Sequence, residues 1–411
     1  MTKSNQTLAI LGGPKAIETP LPHFQWPPKS EKKKNAVMAY MTDELYNDHG
    51  YPAIVSKFEK EFAEYHGRKY ALALNSGTST LHAAFYAAGL KEGDELLAPT
   101  MTFYATATPV LPLGATPVFC DCEPDTGNID PADIRRRITD KTKAIVITHL
   151  CGHPCEMDEI VDIAKQNNLI LIEDCSHAHG STYKGARVGT FGDIACFSLD
   201  NRKILASGEG GVLVTDDRKL FEKCLLIGDF GPRLSHELSI PEIARYRETG
   251  MGCKHRIHPH SAAIASEELK SLQDYIKLRG DKLDYLSRGI EGLPGISPPV
   301  TRPHVTRGAY FGYRPFYHPE QLGGLAIEDF IAALNAEGME IRQSGNLALH
   351  KLPVFADRWA QVAETTLPNS DAFYSGTLSM PTFTLEPYEL LDEYIACFKK
   401  VCAYYAETGK P

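Results

Sequence analysis

The sequence lacks an uninterrupted apolar run long enough to cross a membrane as a helix. Its longest apolar region, residues 96–118, is broken by Pro99, Pro109 and Pro112. Residues 1–6 also lack the apolar stretch that forms the centre of a signal peptide. We therefore expect neither a membrane-spanning segment nor an export signal.

An excess of basic residues is missing as well. The 43 Lys and Arg residues are outnumbered by 52 Asp and Glu residues, which gives a net charge of -9. Nucleic acids and anionic membrane surfaces attract positively charged proteins, so this balance disfavours both as partners. No internal repeat or low-complexity segment is present, and 411 residues suit two domains or one large domain with an appendage.

The C-x-x-C spacing of many zinc sites is also absent, although the chain has ten cysteines. In the densest cluster, Cys151-Gly-His153-Pro-Cys155, potential ligands alternate every second residue, and Pro154 favours extended backbone. Such residues share one face of a strand and do not wrap around an ion. We therefore expect no metal site, and we interpret the cysteines as buried free thiols of a cytoplasmic protein.

What the sequence does contain is a series of short apolar runs separated by helical patterns. Runs that are apolar on both faces are typical of strands in a covered sheet. The strands are predicted at 70–74, 94–98, 117–120, 144–148, 169–172, 194–198 and 212–215, with helices at 54–66, 81–88, 131–139 and 157–167. This alternation predicts an α/β fold with mostly parallel strands.

From about residue 260 the pattern changes to that of a smaller α+β part. The expected elements are helices at 261–272 and 275–293, a β-like stretch at 310–316, and helices at 327–337 and 390–405. Together with the Pro- and Gly-rich start of the chain, this predicts three parts: an N-terminal arm (1–30), a large domain (31–260) and a small C-terminal domain (261–411).

Residues with useful chemistry follow the predicted strands at their carboxyl ends, the edge where open α/β sheets bind ligands. The turn Asn75-Ser-Gly-Thr-Ser-Thr80 precedes a helix, whose free N–H groups can bind an anion, although N-capping by Ser or Thr explains it equally well. Phe103, Asp174 and Lys203 follow three further strands.

Taken alone, Lys203 is an ordinary loop lysine, but burial would lower its pKa and allow it to form a Schiff base. Pyridoxal 5'-phosphate (PLP) requires three further groups, and the sequence offers each of them. Asp174 supplies a carboxylate for the pyridine nitrogen, Phe103 supplies a ring that can stack on it, and the turn at 75–80 can bind the phosphate. The combination predicts a PLP site.

Several short motifs also occur in an order that matches one known family. They are Phe58-Glu-Lys-Glu-Phe62, Asn75-Ser-Gly-Thr78, Pro99-Thr-Met-Thr-Phe103, Asn128-Ile-Asp130, Glu173-Asp-Cys-Ser-His-Ala178, Gly189-Thr-Phe-Gly-Asp193, and Phe197-Ser198 with Lys203 and Gly208-Glu-Gly-Gly211. Over almost its whole length the chain resembles the DegT/DnrJ/StrS aminotransferases, which are fold-type-I PLP enzymes acting on keto sugars and cyclitols.

Three further segments look more like the antibiotic-biosynthesis branch of that family than like its nucleotide-sugar branch. They are Leu11-Gly-Gly-Pro14, His149-Leu-Cys-Gly-His-Pro154 and Ser176-His-Ala-His-Gly180. The branch they resemble contains the inosose aminotransferases and the 3-amino-5-hydroxybenzoate synthases.

The resemblance implies a large domain with a mixed sheet, a small C-terminal domain and a specific role for each matching residue. Lys203 would bind the cofactor aldehyde and move the substrate proton, and Asp174 would pair with the pyridine nitrogen. The remaining residues implied are Phe103 (stacking on the ring), Ser76, Gly77, Thr78 and Ser198 (phosphate), His177 (the 3-hydroxyl) and Lys254 (the phosphate of the partner in a homodimer).

The implied activity is transfer of an amino group from glutamate or glutamine to a keto sugar or cyclitol, with the cofactor cycling between PLP and pyridoxamine phosphate (PMP). A PLP- or PMP-dependent dehydratase or dual-function synthase is the alternative. Simple dehydratases of the family carry histidine in place of the lysine, so Lys203 disfavours that role. A PLP-binding regulatory protein is disfavoured by the acidic charge.

One residue departs from the family pattern. Asp200 stands where the family often has an aromatic residue, His or Gln. A carboxylate beside a phosphate is unfavourable. We therefore expect that Asp200 either points away or contacts a cationic or hydroxyl-rich substrate.

Overall fold

A seven-stranded mixed sheet forms the centre of the protein in our computed structural model, which describes residues 7–42, 51–344 and 347–409. The first nine strands are β1 (Tyr70–Leu74), β2 (Glu95–Pro99), β3 (Thr116–Cys120), β4 (Thr142–Thr148), β5 (Ile170–Asp174), β6 (Thr182–Tyr183), β7 (Ala186–Arg187), β8 (Ile194–Ser198) and β9 (Gly211–Thr215). The strand order in the main sheet is β1-β9-β8-β5-β4-β2-β3.

The register of this sheet brings several strand ends to one edge. Strands β2, β3, β4, β5 and β8 are parallel, whereas β9 is antiparallel to both of its neighbours, β1 and β8. Gly211, at the start of β9, lies opposite both Leu74 and Ser198, and Asp174 lies opposite Cys196. The predicted mostly parallel α/β sheet is confirmed, and its carboxyl edge collects the ends of β1, β5 and β8.

Helices cover both faces of the sheet. Those up to residue 244 are α1 (Glu31–Thr42), α2 (Ala53–His66), α3 (Gly77–Ala88), α4 (Pro131–Arg137), α5 (Met157–Gln166), α6 (Arg218–Gly228), α7 (Pro232–Glu237) and α8 (Pro241–Ala244). Alternate residues of one strand enter different cores: Cys196 packs in the core with α3 and α6, and Phe197 in the core with α2. This period of two is why the strands read as apolar on both faces.

The rest of the chain contributes most of a second core. Its elements are α9 (Pro259–Ile290), β10 (Ile296–Ser297), β11 (Val305–Thr306), β12 (Phe316–Tyr317), α10 (Ile327–Ala336), β13 (Arg342–Gln343), α11 (Pro353–Ala356), α12 (Ala360–Ala363), α13 (Pro368–Gly376), β14 (Leu378–Ser379) and α14 (Tyr388–Thr408). Leu8 and Ile17 pack into this second core, whereas Phe355 packs into the core of the main sheet. The division at residues 30 and 260 stays a prediction.

Two predictions for this region were wrong. Residues 259–290 form one helix of 32 residues, not two, because the buried positions Leu272, Arg279, Leu283, Leu286 and Ile290 continue the helical spacing through the expected break. The stretch 310–316 is not a strand except at its last residue. Gly308, Tyr310 and Gly312 all have positive φ angles (42°, 44° and 101°), which interrupt the extended backbone of a regular strand.

Two general features complete the fold. No helix among residues 7–42, 51–344 and 347–409 combines the length and apolarity needed to span a membrane. All ten cysteines belong to this described part of the chain; they are free thiols, and only Cys253 is not buried.

Candidate functional site

Lys203 lies in the loop between β8 and β9, at the carboxyl edge of the sheet. Its backbone is held on both sides: its N–H donates to the carbonyl of Asp200 (2.8 Å), and its carbonyl accepts from the indole N–H of Trp26 (2.8 Å). The Nζ atom lies 3.9 Å from the ring centroid of Phe311. Desolvation lowers the pKa of Lys203 to about 8, although the nearby carboxylates of Asp174 and Asp200 oppose the shift. About a tenth of this amine is therefore neutral and nucleophilic at pH 7, far more than for an ordinary lysine.

The lowered pKa of Lys203 predicts a pH-dependent reactivity that differs from that of ordinary lysines. In the cofactor-free protein, the rate at which an amine-reactive ester labels Lys203 should reach half its maximum near pH 8 and level off above about pH 9. Lys184 is the internal control, because its hydrogen bond to Asp158 raises its pKa. Mass spectrometry of the labelled peptides measures both rates in one experiment. A Lys203 rate that still climbs beyond about pH 10 would show an ordinary exposed lysine.

Asp174, at the end of β5, is held in one orientation by two hydrogen bonds. Its Oδ2 accepts from the hydroxyl of Thr106 (2.7 Å), and its Oδ1 accepts from the backbone N–H of Ser176 (3.0 Å). Thr106 also lies within hydrogen-bond distance of Thr102 (2.9 Å) and Thr148 (3.2 Å). This hydroxyl cluster fixes the carboxylate that faces Lys203, and sequence reasoning did not find it.

The neighbouring acid, Glu173, has a different role. It is fully buried and accepts from the backbone N–H groups of Gly189 (2.7 Å), Phe191 (2.9 Å) and Gly192 (2.6 Å), and it lies 3.1 Å from Nε2 of His149. Burial alone would raise the pKa of Glu173, but these hydrogen bonds lower it. Glu173 therefore stabilises the connection between β5 and β8, while Asp174 faces the site.

The start of α3 contacts the end of β8. The helix begins at Gly77, four residues before the apolar pattern suggested, because the Ser76 side chain caps it by accepting from the N–H of Ser79 (3.1 Å). A Cβ added at Gly77 would lie 2.8 Å from Cβ of Ser198, and one at Gly211 would lie 2.4 Å from the carbonyl oxygen of Ser76. Only glycine permits these approaches, which bring Ser198 against the first turn of α3.

The rings of His177 and Phe311 lie together beside Lys203. Their rings stack with centroids 4.4 Å apart and an interplanar angle of 26°. Burial lowers the pKa of His177 well below its ordinary value, and the positive charges of Lys203 and Arg314 add to the effect. Within the described ranges, Nδ1 of His177 is buried and has no hydrogen-bond partner. The neutral imidazole therefore has a polar atom left for a ligand.

Phe103 and Lys254 are the remaining predicted site residues. Phe103 is half-buried and begins the turn Tyr104–Thr106, which carries the Thr106 hydroxyl to Asp174. Lys254 is exposed, with its Nζ 5.6 Å from the ring centroid of Phe230. It belongs to a segment that runs beside the 75–80 turn, since the N–H of Asn75 donates to the carbonyl of His255 (2.6 Å).

Asp200 forms an ion pair with a neighbouring arginine, and the choice between the two alternatives left open by the sequence stays a prediction. Its Oδ1 accepts from the backbone N–H (3.0 Å) and the Nε (3.1 Å) of Arg202, so the carboxylate closes the turn that leads into Lys203. The residue that departs from the family pattern thus shapes the lysine loop.

Comparisons with known proteins agree with this geometry. The family model described as DegT/DnrJ/EryC1/StrS aminotransferase family matches residues 29–395. GDP-perosamine synthase of Escherichia coli O157:H7 is 40% identical over 239 residues, which cover 58% of this chain and 64% of that protein. L-glutamine:scyllo-inosose aminotransferase of Streptomyces griseus is 31% identical over 348 residues, 83% of this chain and 81% of that protein. The solved aminotransferase of Psychrobacter cryohalolentis aligns with a TM-score of 0.84 and 29% identity, covering 93% of this chain and 100% of that one.

These findings confirm the resemblance, the fold class, the enzyme class and the cofactor inferred from the sequence. The family model spans the main sheet and most of the second core, and the aminotransferases of this family depend on PLP. This chain therefore belongs to the DegT/DnrJ/EryC1/StrS family of PLP-dependent aminotransferases.

Proposed function

We propose that this enzyme transfers an amino group from glutamate or glutamine to a ketone of a sugar or cyclitol. The observation that carries the proposal is the amine of Lys203, whose pKa is lowered to about 8 beside the fixed carboxylate of Asp174. The names of two relatives, an L-glutamine:scyllo-inosose aminotransferase and a GDP-perosamine synthase, support the substrate class. The sequence identities of these two relatives to this chain do not favour a cyclitol over a nucleotide-linked sugar as the acceptor.

The residues at the carboxyl edge fit PLP. Ser76, Gly77 and Thr78, at the first turn of α3, offer N–H and hydroxyl donors beside Ser198, which suits a phosphate. Asp174 would hold the protonated pyridine nitrogen, and the unpartnered Nδ1 of His177 would face the 3-hydroxyl. The half-buried ring of Phe103 would stack on the cofactor.

The chemistry divides between the cofactor and the chain. When bound, PLP supplies an electron sink for the carbon that loses its proton. Lys203 would accept that proton at Nζ, and a pKa near 8 lets the amine both take up and release a proton close to neutral pH. Asp174 would keep the ring nitrogen charged, and Phe311 and His177 would exclude water from one side of Nζ.

The donor and the acceptor can be tested separately. Glutamate and glutamine, added one at a time to the PLP-loaded enzyme, should convert its visible absorbance to that of PMP for at least one of them. The PMP form should then aminate a keto sugar or an inosose, and the product mass distinguishes simple amination from amination with loss of water. If neither donor changes the spectrum, the proposed donors are wrong.

We also propose that the working unit is a homodimer in which Lys254 serves the site of the partner subunit. Its exposure beside the 75–80 turn supports this, because a cation there can reach a phosphate across an interface. Lys203→Ala and Lys254→Ala homodimers should both be inactive. In a mixed dimer, one of the two sites has both lysines, and random pairing makes about half of the dimers mixed. Co-refolded mixtures should therefore regain up to about a quarter of wild-type activity. Mixtures as inactive as the two parents would contradict the shared site.

We also propose a cytoplasmic location for this enzyme. Ten free thiols fit a reducing cytoplasm. Relatives with inosose and perosamine in their names support a role in the biosynthesis of amino sugars or aminocyclitols, and we propose that their products are secondary metabolites such as antibiotics. Measuring where the protein accumulates in fractionated cells, and which amino sugars disappear when its gene is deleted, tests both parts.

A further inference from the structure

Three potential metal ligands meet outside the PLP site. They are His82 on α3, and Cys253 and His255 on the segment that follows α8. One ligand atom of each residue lies within 4.8 Å of those of the other two, and Nδ1 of His82 is 3.1 Å from Nε2 of His255. We propose that His82, Cys253 and His255 bind a zinc-type divalent cation.

The ligand types and spacing suit such an ion. Imidazole nitrogen and thiolate sulfur are the donors that Zn²⁺ prefers, and three protein ligands leave a fourth tetrahedral position for water. Two nitrogens bound at about 2.0–2.1 Å on a tetrahedron are about 3.3 Å apart. The 3.1 Å separation of the two imidazoles is therefore close to what a bound ion needs. On binding, the Cys253 thiol loses its proton to solvent, and metal bonds replace the contact between the imidazoles.

Backbone contacts hold His255 in place. The N–H of His255 donates to the carbonyl of Gly228 (2.7 Å), its carbonyl accepts from the N–H of Asn75 (2.6 Å), and the next residue, Arg256, forms a β-bridge with Leu74. In extended backbone, residues two apart share a face. Cys253 and His255 therefore turn toward α3, and the exposed Lys254 turns away from it.

A comparison group in the same protein shows why this cluster stands out. His149, Glu173 and Cys175 also bring ligand atoms within 4.8 Å of one another, but they are fully buried. There, Nδ1 of His149 accepts from the N–H of Cys155 (3.0 Å), and Glu173 accepts from three backbone N–H groups. Protein hydrogen bonds therefore already occupy the atoms of His149 and Glu173 that could bind an ion. The residues of the His82 group are only half-buried, so an ion can enter from solvent.

A bound ion would join the first turns of α3 to the segment that carries Lys254. If Lys254 reaches the partner subunit, which rests on the proposed function, the ion would fix the backbone from which it extends. Metal binding itself does not depend on that role, and its measurement below uses no enzymatic activity.

Cobalt(II) is a suitable probe, because its d–d bands lie at longer wavelengths than the absorbance of PLP. The PLP-loaded, chelator-treated and dialysed enzyme should bind about one Co²⁺ per chain, with a thiolate charge-transfer band. Cys253→Ser should abolish that band, and Cys253→Ser and His82→Gln should each weaken Co²⁺ binding by more than about 100-fold, since even outer-shell changes cost 10–100-fold. His260→Gln, which replaces a histidine five residues after His255 and outside the group, is the matched control and should bind as wild type does.

A second measurement needs no variant, so it stays decisive if a substitution impairs folding. Cys253 is the one thiol that is not buried, so an alkylating reagent should modify it first, as mapped by mass spectrometry. Added Zn²⁺ should slow this modification at least tenfold. The proposal is overturned if Co²⁺ does not bind, if its spectrum survives both substitutions, or if Zn²⁺ leaves the alkylation of Cys253 unchanged.

Discussion

Replacing Lys203 with alanine should lower kcat for transamination by about 10⁴-fold or more and leave the fold intact. The substitution removes both the group that bonds to the cofactor aldehyde and the base that moves the substrate proton, and a positioned base alone is worth up to about 10⁴-fold. Steady-state kinetics with the preferred donor measure the loss. Because desolvation penalises the charged form of Lys203, the cofactor-free variant should be at least as stable to heat as the wild type.

The matched control for this substitution is Lys223→Ala. Lys223 is another lysine whose pKa is lowered by desolvation, but its Nζ donates to the carbonyl of Ala87 (3.0 Å), away from the carboxyl edge of the sheet. Its removal should change kcat by less than about threefold. Comparable losses in the two variants would mean that general destabilisation, and not chemistry at Lys203, explains the effect.

Asp174→Asn should lower kcat by about 10²–10⁴-fold. The neutral amide no longer favours a protonated pyridine nitrogen, and loss of one partner from a buried charge pair costs about 3–5 kcal/mol, which corresponds to that range at 1.36 kcal/mol per tenfold change in rate. Asp174 is 4% exposed, so solvent screens little of this interaction. The rate and the absorbance of the bound cofactor should change together.

Thr106→Val provides a graded comparison for Asp174→Asn. It removes one hydrogen bond to the Asp174 carboxylate and keeps the charge. Hydrogen bonds to charged groups contribute about 1.5–3 kcal/mol, so kcat should fall by about 10–150-fold. We expect the charge of Asp174 to matter more than its orientation. A Thr106→Val variant that loses more activity than Asp174→Asn would contradict this expectation.

Much of the site could be predicted from the sequence because its residues follow strands. Strand periodicity places Asp174 and Ser198 at ends that a parallel sheet collects on one edge, and Lys203 and the 75–80 turn follow from the same rule. Local signals also fixed the end of α2 at His66, which Gly67 caps in a left-handed conformation. Order along the chain was enough for these features.

Other features depend on contacts between distant segments and left only weak local signals. Phe311 reaches Lys203 because Gly308, Tyr310 and Gly312 turn the chain through left-handed conformations, and only the two glycines hinted at this. Thr106 stands four residues after Thr102, but this spacing alone does not mark it as a site residue. Its contact with Asp174 forms only when the sheet has folded.

The same limit applies to the lysine and to the histidine–cysteine group. The size of the pKa shift of Lys203 depends on how far tertiary packing removes its amine from water. His82 lies far from Cys253 and His255 in the sequence, and the three meet only because the later segment runs beside α3. No spacing rule along the chain identifies such a group.

The most direct test of the account is to find which amine bonds to the cofactor. Wild-type enzyme loaded with PLP is reduced with borohydride, which makes the bond between the cofactor aldehyde and the amine permanent, and the digested protein is mapped by mass spectrometry. We expect a single modified residue, Lys203, and no modified peptide in Lys203→Ala. A stable label on another lysine, or no label on enzyme that is active, would contradict the assignment of the chemistry to Lys203.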